Sequence, residues 1–162
     1  MKSLAGFHAS FFLLIATVLA ADPADFRIER NVAYLLEGRA EKADLYLPLE
    51  IPKGRRVPAV VIIHGGGFTG GKRDAARELN IGGTLARNGY IGMSIDYVLA
   101  APGKPTWPQN LHDCKTAVRW LRANAERLQI DPEHIGVIGG SAGGTLASWF
   151  LVPLVLGLQE AP

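Results

Sequence analysis

The chain has 162 residues, 48% of them apolar and 20% charged, which excludes a disordered chain and allows one globular domain. Nineteen Gly and ten Pro follow no period, so a collagen-like repeat is excluded. Seventeen basic against fifteen acidic residues leave a charge of +2, and the one short basic stretch, Lys53-Gly54-Arg55-Arg56, reads as a loop; no nucleic-acid partner is expected.

In chain order, the N-terminus comes first and is not fold material. Lys2 supplies a positive start, Phe11 to Leu19 is an apolar run of nine, and Val18-Leu19-Ala20 offers a small-residue cleavage site before Ala21-Asp22-Pro23. The run is shorter than the roughly 20 residues of a bilayer span. Residues 1–20 are therefore expected to be an export signal, leaving 21–162 as a domain outside the cytoplasm with no stable membrane insertion. An uncleaved anchor is the competing reading.

Residues 27–36 and 42–47 suit two strands joined at Glu37-Gly38-Arg39, and Pro48 ends the second. Ala59-Val60-Val61-Ile62-Ile63 is wholly apolar and β-branched, the mark of a strand buried on both faces. Asp74 to Asn88 reads as a helix weakened by Gly82-Gly83, and Ile91 to Ile95 as a strand. Residues 97–108 hold Pro102, Gly103, Pro105 and Pro108 and read as a loop. The stripe Leu111, Cys114, Val118, Leu121, Ala125, Leu128 predicts one helix over 110–128, with the lone Cys114 as a buried structural thiol. A turn at Asp131-Pro132, a strand at Ile135–Ile138 and a helix after Ser141 complete the series. Strands alternating with helices predict an α/β fold, a mostly parallel sheet with helices on both faces, whose ligands bind at the strands' carboxyl ends.

Two glycine-rich segments fall at those ends. Gly139-Gly140-Ser141-Ala142-Gly143-Gly144 satisfies Gly-x-Ser-x-Gly between a strand and a helix, the context in which a tight turn presents a serine hydroxyl to substrate. The helix start beyond it favours negative charge on a substrate oxygen. Ser141 also suits a plain helix N-cap, and both readings stand at this point. His64-Gly65-Gly66-Gly67-Phe68 follows the buried strand, and its glycines leave backbone N–H groups free to face an oxyanion. His64 is expected to hold that loop rather than to act as a base.

Phosphate binding is the rival use of such loops. Gly66-x4-Gly71-Lys72 matches a P-loop as far as its lysine, but Arg73 stands where a Ser or Thr must reach magnesium, and Thr145 stands in the lysine position after Gly139-x4-Gly144. Nucleotide binding is set aside, and no cofactor or metal is expected.

Together these segments resemble the α/β-hydrolase-fold esterases of the hormone-sensitive-lipase and acetyl-xylan or feruloyl-esterase-like kind. The resemblance runs from about residue 27 to 150, through Ala43-Asp44-Leu45-Tyr46-Leu47-Pro48, the His64 to Phe68 loop, Asp96-Tyr97, His112 to Arg122, and Ile130 to Gly144. It implies Ser141 as nucleophile, the backbone N–H groups of Gly66, Gly67 and Ala142 as oxyanion donors, and the 97–108 loop as a border of the substrate pocket. It implies a small ester as substrate, with an acylated carbohydrate as one form. Val98 departs from the family, where many relatives carry Arg after the Asp-Tyr pair, and that puts a structural ion pair in question.

The acid and base of the family follow its nucleophile in the order Asp or Glu, then His. After Ser141 this sequence has one ionisable group, Glu160, and no histidine. The largely apolar stretch Ala147–Leu158, interrupted by Pro153, reads as a segment covered by further chain. The expectation is the N-terminal part of a serine carboxylic-ester hydrolase, inactive by itself for want of Asp and His. A related peptidase and a non-catalytic binding protein of the same fold are the alternatives.

Overall fold

The computed structural model describes residues 25–150; the expected signal at 1–20 and most of the apolar tail lie outside that range. Five strands, β1 (Phe26–Val32), β2 (Ala43–Pro48), β3 (Val57–Ile63), β4 (Ile91–Ile95) and β5 (Ile130–Gly139), form one sheet in the order β1-β2-β4-β3-β5. Four helices accompany it: α1 (Ala76–Arg87), α2 (Gln109–Ala123), α3 (Ala125–Leu128) and α4 (Ala142–Ser148). The sheet is mixed rather than mostly parallel. β3 pairs in parallel with β4 and β5, whereas β1–β2 and β2–β4 are antiparallel. A short link suffices for the antiparallel neighbours β1 and β2, and β3 is joined to its parallel neighbour β4 through α1, whereas β2 meets β4 antiparallel across a long stretch of chain.

β3 is buried as its composition requires: Ala59, Val61, Ile62 and Ile63 are fully inaccessible. Alternate residues of the sheet face two helical layers. Leu45, Val61, Ile63 and Met93 join the core beneath α2, α3 and α4, with the stripe Leu111, Cys114, Val118, Leu121, Ala125 and Leu128. Tyr46, Ile62 and Gly92 face α1. Gly82 is what lets α1 lie so close: a Cβ there would stand 2.4 Å from the Tyr46 ring. The glycine pair thus serves packing at the expense of helix propensity.

Several boundaries differ from the sequence reading for local reasons. β1 stops at Val32 because Asn31 has φ 60° and its N–H turns to the Asp44 carboxylate at 3.0 Å. The predicted single helix breaks at Asn124, whose side chain donates to Trp120 O at 2.9 Å, and Gln129 in the left-handed region closes α3. β5 begins at Ile130, earlier than expected. Val57 pairs with Ile130 and Ala59 with Ile135, so the Asp131-Pro132 turn survives as a bulge inside a paired strand.

Candidate active site

β5 runs into Ser141, which has φ 52° and ψ −121°, a backbone conformation that side-chain-bearing residues avoid. Its side chain is exposed and makes no capping bond to α4, so the N-cap alternative is not what the structure adopts. The turn is tight because of its glycines. A Cβ at Gly139 would meet Gly143 O at 2.2 Å, and one at Gly143 would meet Ile63 O at 2.2 Å and His64 O at 2.6 Å. α4 therefore starts directly on the backbone at the end of β3.

The loop after β3 lies against this turn. A Cβ at Gly65 would come within 2.9 Å of Gly140 O and 3.4 Å of Ser141 Cβ. Gly66, Gly67 and Phe68 all have positive φ, and Gly66 O accepts the N–H of Thr69 and of Gly70 at 3.2 and 3.0 Å. The N–H groups of Gly66, Gly67 and Ala142 meet no backbone acceptor among the described residues. Ser141 and these three positions, far apart in sequence, are thus gathered at the carboxyl ends of β3 and β5.

His64 is a buried part of the loop's support. Its Nδ1 donates to Gly65 O at 2.7 Å, its ring stacks on Tyr97 at 4.4 Å, and Tyr97 Oη donates to His64 O at 3.1 Å. Nδ1 alone is engaged; Nε2 is buried with no partner among the described residues. His112 is exposed on α2, and His134 sits in the β5 bulge, 2.8 Å from Asp131, away from the carboxyl end. No other histidine approaches Ser141 among the described residues. Nor is any group of three His, Cys, Asp or Glu side chains placed there to hold a metal. Cys114 is fully buried and burial pushes its thiol well above the ordinary range, as suits a structural residue.

Two recesses lie at this end of the sheet, one with Ser141 in its lining and one that starts a helical turn away, at Thr145. On the α4 side, an apolar groove of about 340 Å³ is lined by Phe68, Ala100, Pro105, Thr106, Trp107, Leu146 and Trp149, with the two indoles 5.1 Å apart. The 97–108 loop does border it. On the α1 side, a recess of about 390 Å³ carries Lys72, Arg77 and Glu78. Arg77 Nη1 donates to the buried Glu78 carboxylate at 2.6 Å, and the Arg77 guanidinium covers Gly140, where a Cβ would meet it at 2.8 Å. Sequence reasoning did not single out Arg77 or Glu78. Their signal was present in a charged pair opening the helix that follows a glycine-rich loop.

The ion pair questioned at Val98 is filled from elsewhere. The fully buried Asp113 takes both guanidinium nitrogens of Arg39, at 3.1 and 2.7 Å, from the β1–β2 connection. Val98 contributes its N–H to the same carboxylate, at 3.0 Å. A second network joins Asp44, nearly inaccessible, to Arg30 and Arg73 at 3.0 and 2.9 Å, and Arg73 also pairs with Asp96.

Comparison with known proteins decides the family. A family model described as BD-FAE matches residues 43–152, from β2 through α4. The chain belongs to the BD-FAE family. Esterase LipQ of Mycobacterium tuberculosis is 34% identical to this BD-FAE chain over 119 residues, which are 73% of this chain and 27% of LipQ. The solved esterase of Pyrobaculum calidifontis superimposes with a TM-score of 0.66 at 32% identity, over 82% of this chain and 41% of that one. A structure described as a truncated form of carbohydrate esterase from gut microbiota gives 0.65 at 31%, over 80% and 44%. These likenesses place the BD-FAE chain among the α/β-hydrolase esterases of the hormone-sensitive-lipase type. The chain spans about a quarter of the length of LipQ and under half that of the solved esterases.

Proposed function

We propose that the protein is a serine carboxylic-ester hydrolase working through an acyl-enzyme. The observation that carries this is Ser141, exposed at positive φ between α4 and the Gly65–Phe68 loop. In the proposed first step Ser141 Oγ attacks the ester carbonyl carbon and gives its proton to a general base. The carbonyl oxygen becomes an oxyanion, held by the N–H groups of Gly66, Gly67 and Ala142 with the start of α4 behind them. The C–O bond to the alcohol then breaks and the alcohol leaves with the proton. Water attacks the acyl-enzyme in the same manner and releases the carboxylic acid. No cofactor or metal enters either step.

The base and its acid partner belong, on this reading, to chain other than the described residues, since His64 is committed to Gly65 O and the remaining histidines face away. The 162 residues alone are therefore expected to turn esters over very slowly. For the substrate, a split between the recesses is proposed: the acyl group in the apolar groove, and a hydroxyl-rich alcohol, such as a sugar, in the recess where Lys72 and Arg77 offer donors and Glu78 an acceptor. Likeness to the gut carbohydrate esterase supports a sugar alcohol. If residues 1–20 act as the export signal expected from their sequence, this chemistry takes place outside the cytoplasm, where acylated polysaccharides are met.

The test is hydrolysis of p-nitrophenyl acetate by the protein extended to the length of its relatives. The Ser141→Ala variant is expected to lose at least about 10⁴-fold in kcat. Equal rates for the two proteins would remove the nucleophile assignment, and brisk Ser141-dependent turnover by the 162-residue chain would remove the argument about the base.

A further inference from the structure

The segment 98–108 walls the apolar groove with Ala100, Pro105, Thr106 and Trp107, yet it has little structure of its own. Its one internal tie is an isolated bridge between Ala101 and Lys104; outward, Ala100 N–H donates to Phe68 O at 2.8 Å, Thr106 O and Pro108 O accept the N–H groups of Asn110 and His112 at 3.0 Å each, and the Trp107 ring meets Trp149. What it does have is a common anchor for its two ends. Val98 N–H, at its start, donates to Asp113 Oδ2 at 3.0 Å. The Gln109 side chain, immediately past its end, donates to Asp113 Oδ1 at 2.9 Å.

Asp113 is fully buried on α2, and a buried carboxylate persists only with good partners. Arg39 supplies them in the bidentate geometry particular to guanidinium, Nη1 to Oδ1 and Nη2 to Oδ2. Each carboxylate oxygen therefore accepts one bond from Arg39 and one from an end of the segment. Arg39 is itself oriented by Glu41, at 2.9 Å. The four donors occupy both oxygens from two sides, so the carboxylate cannot rotate without releasing one end of the segment.

We propose that Asp113 is a positioning residue that fastens both ends of the 98–108 wall, and that Arg39, from the distant β1–β2 connection, holds Asp113 in that orientation and so sets the width of the groove beside Ser141. The fastening is independent of any reaction; its effect on acyl selection rests on the hydrolase reading above.

Hydrogen exchange followed by mass spectrometry on the full chain tests the fastening. Gln109 is exposed, so Gln109→Ala removes one anchor without touching the core. Exchange in the peptide covering 97–108 is expected to accelerate about tenfold, with β3 and α1 peptides unchanged. Arg39→Lys keeps the charge and loses the fork, and the same local acceleration is expected. Arg39→Ala strands a buried carboxylate and can unfold the domain, so the first two variants carry the decision. No change in either, or a uniform rise over all peptides, would overturn the proposal.

In the extended, active protein, Gln109→Ala should raise the ratio of KM for p-nitrophenyl hexanoate to KM for the acetate about fivefold, the long acyl group being the one that needs the wall. An unchanged ratio overturns the link to acyl selection. Failure of the hydrolase reading would look different: Ser141→Ala would retain hydrolysis while the exchange result stood.

Discussion

Replacing Ser141 by glycine should make the domain more stable while removing the proposed nucleophile. Ser141 stands at φ 52° and ψ −121°, where a side chain crowds its own backbone, a strain of about 1–3 kcal/mol. Glycine relieves it, at an entropic cost in the unfolded chain of about 0.4–1 kcal/mol. The hydroxyl itself contributes little to stability, because Ser141 is exposed and makes no bond to the helix it precedes. The net expectation is a gain of about 1–2 kcal/mol, which for a domain of this size moves Tm up by about 2–8 °C. Ser141→Ala is the control, since alanine loses the hydroxyl and keeps the strain. Thermal and urea unfolding followed by circular dichroism should rank glycine above alanine, with alanine close to the native protein. If Ser141→Gly is no more stable than Ser141→Ala, the turn is not strained and its conformation owes nothing to function.

Two further outcomes concern the scaffold. Gly82→Ala should lower stability by about 1–2 kcal/mol in urea unfolding, because overpacking against Tyr46 at 2.4 Å outweighs the gain of about 1 kcal/mol in helix propensity; a stabilised variant would show that α1 can retreat from the sheet. Cys114 should resist iodoacetamide in the native protein at neutral pH and react in urea. Its folded pKa is raised, first by burial and then by Asp113, so the unfolded chain loses its thiol proton first. The stability it contributes is complete below the ordinary thiol value of 9.0 and falls as pH rises beyond it, and flat stability between pH 8 and 10 would contradict this.

The parts of the fold legible in the sequence were those governed by short-range rules. The apolar run 59–63 could only be a buried strand, and the spacing from Leu111 to Leu128 could only put one stripe inward; both are as read. Ser141 and the Gly65–Gly67 loop were readable as a pair because glycine is demanded where backbones nearly touch. Strand direction was not legible, since β2 and β4 pair antiparallel across a gap of more than forty residues that no local pattern encodes. Arg39 was missed for a related reason. Its partner Asp113 lies 74 residues away, and an arginine in a polar connection gives no sign that its head enters the core. Arg77 and Glu78 looked like an ordinary solvated helix start until α1 was set against Gly140.

The mutual contact of the two glycine turns restricts how this enzyme family can be altered. Gly65 rests on Gly140, and Gly143 rests on the ends of Ile63 and His64, so neither turn can shift without carrying the other. Randomising either turn to change substrate range would break the geometry before it widened anything. Variation that survives should instead collect in the wall at 98–108 and at the mouth of α1, where side chains project from a frame that stays fixed. On the proposed esterase activity, a library confined to those two regions is the direct route to new ester preferences.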